Sequence, residues 1–367
     1  MWSERTGRQK GNEIGGHMRG KKLTAVLVSS ALAVSVLAGC GGIDKDAVVA
    51  TLDGQDIKLG IANFAVRLQQ AQYDDMYTSY FGEDVWSSDL YGNGSTMEDN
   101  MKDTVIDSIE SLYVLQNHMA DYEVTLTDED KTAIKTAAQD FMSVNTDEAL
   151  EALGATEEIV EEYLTLVTIE SRMYTAIIAD ADTNVSDADA NTSDYSYVNI
   201  SKTSYKDADG NSVDYTDEEK SALGDKVKEF KDAAVTDTLE TAAEEYGYTV
   251  SSGTFASDNT TLDEAVLTAL QGLTTEGQIS DVVETDSAYY VLRLDQITDA
   301  DATEQHRQQI ISNRQSELYN EVLQGWKDAS EWTLNEKVWE KVSFDNRFTT
   351  TATSTETEEV ETTESVQ

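Results

Sequence analysis

The chain has 367 residues, and its 26 Lys and Arg stand against 71 Asp and Glu, a formal net charge of −45. Such an acidic chain excludes nucleic acid as a partner, because phosphate binding needs a basic surface. One cysteine and three histidines exclude an internal disulfide and a Cys- or His-rich metal site, so no metal or cofactor is predicted. There is no proline, so the turns must depend on Gly, Asn and Asp.

The N-terminus has the pattern of a lipoprotein signal peptide. A basic cluster at residues 19–22 precedes an apolar stretch at residues 23–38, which is short for a membrane-spanning helix. It ends in Leu-Ala-Gly39-Cys40, where small residues suit a signal peptidase and the only thiol of the chain can take a lipid. We predict cleavage between Gly39 and Cys40 and attachment to the lipid bilayer through Cys40. Met18 is the expected start, with residues 1–17 an upstream extension.

The first half of the remaining chain is predicted to be helical. Residues 40–46 form a short tether, and residues 47–57 read as a strand, an Asp-Gly turn and a return strand. Residues 59–180 show helical spacing of apolar residues almost throughout, including a long amphipathic helix at 97–122. Helix starts are predicted at Thr127 and Thr156, each followed by acids in the first turn.

The pattern changes at residues 180–194, a polar stretch that reads as a linker. A small α+β unit of strands and helices is predicted beyond it, at residues 195–201, 218–234, 238–246, 249–255, 262–270, 279–283 and 288–294. A long helix at 303–326 and a short terminal element at 332–342 follow. The Thr- and Glu-rich end is predicted to be disordered.

The order of these elements resembles the PrsA/SurA-type extracytoplasmic foldases. Residues 49–54 (Val-Ala-Thr-Leu-Asp-Gly), the helix at 97–122 and the segments 124–129 and 153–158 resemble the SurA N-terminal chaperone module. Residues 239–246, Gly-Gln-Ile-Ser at 277–280 and Ala-Tyr-Tyr-Val-Leu-Arg-Leu at 288–294 resemble a parvulin-type peptidyl-prolyl isomerase domain.

The resemblance implies an α+β multidomain fold, in which a mainly helical SurA-like domain carries an inserted parvulin-like α+β domain. Its domains would be the signal segment 1–39, the tether 40–46, the chaperone domain 47–190, the parvulin-like domain 191–300, a C-terminal helix 301–345 that packs back on the chaperone domain, and the disordered tail 346–367.

The parvulin part departs from the family at its active site. Both family histidines correspond to tyrosines, Tyr197 and Tyr290, and the Gly-Gly-Asp-Leu-Gly segment is missing. The family's proline pocket corresponds to Leu262 and Val266. The two tyrosines would either keep a polar pair in place, since a phenol donates and accepts hydrogen bonds, or serve as aromatic core on adjacent strands.

The function implied by the resemblance is a membrane-anchored foldase on the extracytoplasmic face that binds unfolded, newly exported polypeptides. Isomerase activity stays open because of the two tyrosines. The alternatives are a structural surface lipoprotein without client binding, and a solute-binding lipoprotein of a transporter. The helical region 59–180 argues against the latter, which needs two lobes of alternating strands and helices.

Overall fold

The computed structural model describes residues 31–35, 43–206 and 209–351. The chain divides into two compact units. The first unit comprises Met1–Ala179 and Tyr319–Gln367, and the second unit comprises Asp180–Leu318.

The elements in chain order begin with three strands and five helices of the first unit: β1 Ala31–Ser35, β2 Val48–Leu52, β3 Gln55–Lys58, α1 Leu59–Phe81, α2 Met97–Asn117, α3 Asp128–Val144, α4 Asp147–Leu153 and α5 Glu157–Ile178. The second unit follows with α6 Asp187–Ala190, β4 Thr192–Ser201, β5 Ser204–Lys206, β6 Ser212–Asp214, α7 Asp217–Thr236, α8 Leu239–Tyr246, β7 Val250–Ala256, α9 Glu264–Gln271, β8 Val283–Glu284 and β9 Ala288–Gln296. The chain ends with α10 Ala300–Ala329, β10 Trp332–Leu334, α11 Glu336–Trp339 and β11 Arg347–Thr351.

The first unit is a helical body with two small antiparallel sheets. One sheet has the strand order β10-β2-β3, and the other pairs β1 with β11. The predicted turn between β2 and β3 is formed by Asp53 and Gly54, both with positive φ. Thr127 caps α3 by accepting a hydrogen bond from the Asp130 backbone N–H at 3.1 Å, and Thr156 caps α5 in the same way.

The second unit is a four-stranded antiparallel sheet with helices on both faces. The strand order is β7-β4-β9-β8, so β4 and β9 are the central strands. Helices α7 and α8 cover one face through a core that includes Val198, Ile200, Phe230 and Val291. Helix α9 covers part of the other face. The two units together give the predicted α+β fold, with a mainly helical part and a small mixed part.

The structure corrects two predictions of local structure, the helix 97–122 and the linker 180–194. The predicted helix 97–122 ends at Asn117, and a 3-10 turn follows at Met119–Tyr122. His118 between them stacks on Trp326 with ring centroids 4.2 Å apart, and Glu123 after the turn is left-handed. The linker 180–194 contains α6 and the start of β4. The Ser193 hydroxyl donates to the Ile297 carbonyl at 2.7 Å. The polar sequence of the linker does not predict this long-range contact.

The predicted tail 346–367 begins with a strand, β11, and residues 352–367 lie outside the described residues. The predicted domain boundaries at 190/191 and 300/301 both lie inside the second unit. The Arg307 guanidinium donates to Asp187 at 2.8 Å, and the Asp299 N–H donates to the Thr192 carbonyl at 2.8 Å. These bonds tie the predicted linker and the start of α10 to the sheet.

Candidate functional site

Strands β4 and β9 present alternate residues to the two faces of the sheet. Tyr195, Tyr197 and Asn199 point to the α9 side, whereas Val198 and Ile200 belong to the core under α7 and α8. Tyr290 pairs directly with Asn199 across the two strands, so it also lies on the α9 side. Because every second residue of β4 points to the same face, Tyr195 and Tyr197 lie on one side of the sheet together with Tyr290 of β9.

The aromatic rings on this side form a continuous row. Tyr195 stacks on Tyr197 with ring centroids 5.5 Å apart, and Tyr197 lies 6.2 Å from Tyr290. Phe255 of β7 makes an edge contact with Tyr195 at 5.8 Å. Tyr197 and Tyr290 are half-buried, so their rings are partly open to solvent. We call Tyr195, Tyr197, Phe255 and Tyr290, together with Leu262, the aromatic face.

Helix α9 supplies the aliphatic side chains beside the rings. Asp263 begins the helix by accepting a hydrogen bond from the Ala265 N–H at 2.9 Å. Val266 is buried and Leu262, just before the helix, is half-buried, and both belong to the same apolar cluster as the rings. The structure thus places all four predicted site residues, Tyr197, Tyr290, Leu262 and Val266, in one apolar cluster.

The polar chemistry of the aromatic face is limited to neutral groups. The Asn199 amide donates to the Tyr290 hydroxyl at 2.9 Å. Burial raises the pKa of the Tyr290 phenol, and Tyr197 and Asp263 raise it further. Burial also raises the pKa of Tyr195. Both phenols are therefore neutral at pH 7, and they can donate and accept hydrogen bonds but carry no charge.

The histidines of the described chain lie elsewhere. His306 contacts the Ala190 carbonyl at 3.1 Å and Asp258 at 3.2 Å, and His118 belongs to the first unit. No histidine of the described residues therefore takes the place of the family pair beside Tyr197 and Tyr290. No group of three or more His, Cys, Asp and Glu in the described part of the chain could hold a metal ion.

A shallow cavity of about 810 Å³ lies between the start of α9 and the turn that joins β8 to β9. Its lining includes four acidic residues and one lysine: Asp263, Glu264, Glu284, Asp286 and Lys202. Lys202 is already engaged, since its ammonium donates to Glu284 at 2.8 Å and to the Thr285 carbonyl, and lies 4.9 Å from the Tyr289 ring. The cavity therefore presents an excess of negative charge.

Sequence reasoning missed Tyr195, Asn199 and Phe255. The alternation in Tyr-Ser-Tyr-Val-Asn at 195–199 would have placed Tyr195 and Asn199 beside Tyr197, because a strand sends every second residue to the same face. Phe255 carries no such signal, since it joins the face only through the pairing of β7 with β4.

The predicted lipidation site lies outside the described residues. Gly39 and Cys40 are not among them, and neither is the predicted signal segment apart from Ala31–Ser35. Within the described ranges, no helix has both the length and the apolar character required to cross a membrane.

A known protein family matches a large part of the second unit. Residues 200–305 match the family model of the PPIC-type PPIase domain. The predicted resemblance to a peptidyl-prolyl isomerase domain is confirmed. The matched residues include Tyr290, Leu262 and Val266, and they begin three residues after Tyr197.

Several solved structures are also similar to this chain. The foldase PrsA from Streptococcus pneumoniae is 17% identical, with 70% of this chain and 97% of that chain covered and a TM-score of 0.27. The PrsA peptidylprolyl isomerases from Bacillus anthracis and Bacillus cereus are 18% and 15% identical. They cover 61% and 70% of this chain and 96% and 97% of their own, with TM-scores of 0.27 and 0.32. Comparison with curated proteins found no match.

Proposed function

We propose that this protein is an extracytoplasmic foldase that binds unfolded exported polypeptides on the aromatic face of its isomerase-like unit. The match of residues 200–305 to the PPIC-type PPIase domain carries the proposal, because the aromatic face lies on that unit's sheet. Half-exposed tyrosine rings bury a large apolar area and can still hydrogen-bond to a peptide backbone. An unfolded chain offers both apolar side chains and unpaired backbone groups.

The acidic cavity next to the face adds a preference among clients. Its four carboxylates outnumber its lysine, and that lysine is already paired with Glu284. A client segment with Lys or Arg near its apolar residues would gain attraction there, and salt would weaken this gain. The net charge of −45 for the whole chain acts in the same direction.

Binding is the main activity that we propose, and acceleration of prolyl isomerisation is secondary. A catalyst must bind the twisted amide of the transition state better than the planar amide, against a barrier of about 20 kcal/mol. The residues that correspond to the family histidines are phenols here, and the Tyr290 hydroxyl already accepts a hydrogen bond from Asn199. We expect this pair to support binding without the catalytic contribution of two histidines.

The proposal includes lipid attachment at Cys40. The basic cluster, the apolar stretch and the small residues before the only cysteine support it. After cleavage the chain would carry 20 Lys and Arg against 69 Asp and Glu, a net charge of −49. An anionic membrane surface would repel this body, so the tether would hold it near the membrane without adsorption.

The client site is tested by anisotropy titration of a fluorescent, permanently unfolded polypeptide into the full chain. The double variant Tyr197→Ser/Tyr290→Ser should weaken binding about tenfold, which corresponds to a loss of about 1.4 kcal/mol of aromatic contact. The matched control is Tyr205→Ser, an exposed tyrosine of the β5–β6 hairpin outside the aromatic face. Equal affinity of the double variant and the control would refute the site. No binding by any of the proteins would leave the structural lipoprotein as the better interpretation.

Lipid attachment is tested separately in a bacterial host that carries the lipoprotein pathway. Metabolic labelling with a radioactive fatty acid should mark the wild-type protein and leave Cys40→Ser unlabelled. An unlabelled wild-type protein would remove the anchor from the proposal and would leave client binding untouched.

A further inference from the structure

A strand from the predicted signal segment occupies a slot in the first unit. Strand β1 pairs antiparallel with β11 in a register from Ala31 opposite Thr351 to Ser35 opposite Arg347. The Leu32 side chain is only 5% exposed and belongs to an apolar cluster with Phe141 and Phe348.

Strand β11, which forms one wall of the slot, is fixed by side chains of α1. The buried Asp74 carboxylate accepts hydrogen bonds from the Phe348 backbone N–H at 2.6 Å and from the Arg347 guanidinium at 2.7 Å. One turn earlier, the Gln70 amide donates to the Asn346 carbonyl at 2.9 Å. None of these bonds involves β1, so β11 keeps its anchors when β1 is removed.

A buried amide forms the second wall. The Asn145 side chain, whose residue is 8% exposed, accepts the Leu32 backbone N–H at 2.8 Å. Its own amide nitrogen donates to the Phe141 carbonyl at 2.8 Å, which fixes its orientation independently of β1. Helix α4 also contacts β1. Without the strand, the Asn145 oxygen would point into an apolar hollow with no donor.

Cleavage before Cys40 would remove β1 and leave three unsatisfied features together. These are the edge of β11, which pairs with no second strand among the described residues, the Asn145 oxygen, and the hollow filled by Leu32. A strand edge with an adjacent side-chain pocket is the arrangement by which proteins capture extended peptides as an added strand.

We propose that the slot of the processed protein binds an extended segment of an unfolded polypeptide, with one large apolar side chain at the Leu32 position. In the unprocessed chain the signal segment occupies the same slot and keeps it closed. This inference rests on the proposed function, because it needs both cleavage and an unfolded client. The chain's own residues 352–367 are a poor occupant, since they contain no Leu, Ile, Met or aromatic residue.

The test uses a labelled peptide of residues 29–37, Ser-Ser-Ala-Leu-Ala-Val-Ser-Val-Leu, and the same peptide with Leu32→Asp as its matched control. Each peptide is titrated by anisotropy into the processed protein, which begins at Cys40, and into the unprocessed Cys40→Ser chain. We expect the processed protein to bind the first peptide at least tenfold more tightly than the control peptide. It should also bind this peptide at least tenfold more tightly than the unprocessed chain does. Because both peptides are titrated into the same protein, no folding defect of a protein variant enters the comparison of the two peptides.

Three outcomes would overturn the inference: equal affinity for the two peptides, equal affinity of the two protein forms, or a dimer of the processed protein that excludes the peptide. The client titration on the aromatic face separates this failure from failure of the proposed function. If the unfolded polypeptide binds and the peptide does not, the slot is refuted and the foldase stands. If neither binds, the foldase itself is refuted.

Discussion

Removal of the Asp74 carboxylate is expected to detach the C-terminal strand from the first unit. Asp74 is fully buried, and it accepts hydrogen bonds from the Arg347 guanidinium, the Phe348 N–H and the Trp86 indole N–H at 2.6–3.0 Å. All three donors would lose the Asp74 acceptor in Asp74→Ala.

The expected cost follows from what each donor retains. Loss of one partner of a buried ion pair costs about 3–5 kcal/mol. The Arg347 side chain is 19% exposed and also donates to the Glu83 carbonyl at 2.7 Å, so we expect about 3 kcal/mol. Asp74→Asn keeps the shape and one acceptor oxygen, so it should cost less, about 1–2 kcal/mol.

Urea unfolding followed by tryptophan fluorescence measures this cost in the first unit. Trp86, Trp326, Trp332 and Trp339 all belong to that unit, and the second unit has no tryptophan. With slopes of about 1–3 kcal/mol/M, Asp74→Ala should lower the midpoint by about 1 M or more. The control Asp103→Ala removes an exposed carboxylate from α2 and should change stability by less than about 0.5 kcal/mol. A change for Asp74→Ala as small as that of the control would show that the Asp74 carboxylate does not hold the C-terminal strand.

Three further substitutions test other parts of the account. Burial would raise the pKa of Asp130, but hydrogen bonds from Arg172 and Thr127 outweigh it and lower the pKa below its usual 3.8. Above the pKa that Asp130 has in the unfolded chain, its ionised carboxylate therefore stabilises the folded protein. This stabilisation is lost as pH falls through the lower pKa that Asp130 has in the folded protein. In fluorescence-detected urea titrations, Asp130→Asn should be less stable than wild type at pH 7, and the difference should shrink as pH falls below 3.8. A difference that stays constant with pH would contradict this. Phe230→Ala leaves a cavity at a fully buried position and should destabilise the second unit by about 3–5 kcal/mol. The loss should appear in the unfolding transition measured by circular dichroism, while the transition measured by tryptophan fluorescence stays unchanged. Gly154 has φ 69°, and a Cβ added there would lie 2.6 Å from the Asn63 amide nitrogen. Gly154→Ala should therefore lower the free energy of unfolding of the first unit by about 1–3 kcal/mol. An unchanged urea midpoint would contradict this strain.

Much of the fold is readable from local sequence patterns. The Asp53-Gly54 turn and the caps at Thr127 and Thr156 depend on residues within a few positions of each other, and the structure has them where the sequence predicts. Apolar periodicity likewise locates the helices, because the inward stripe is set by the helical repeat itself.

The parts that sequence reasoning missed depend on long-range polar contacts. Strand β11 lies in a Thr-rich segment, and it is ordered through Asp74, which is 273 positions before Arg347. Helix α1 places Gln70 and Asp74 on one side, yet polar residues in a helix are ordinarily read as solvent-facing. At the candidate site, the strand alternation that unites Tyr195, Tyr197 and Asn199 is visible in the sequence, whereas the contribution of Phe255 requires the pairing of β4 with β7.

The proposed binding of unfolded polypeptides by this chain can be measured through the aggregation of a denatured client. Light scattering is followed after dilution of the client from denaturant, with and without the full chain at equimolar amounts. We expect wild type and Tyr205→Ser to suppress scattering and Tyr197→Ser/Tyr290→Ser to suppress it less. Client aggregation that is the same with and without the wild-type protein would contradict the proposed binding.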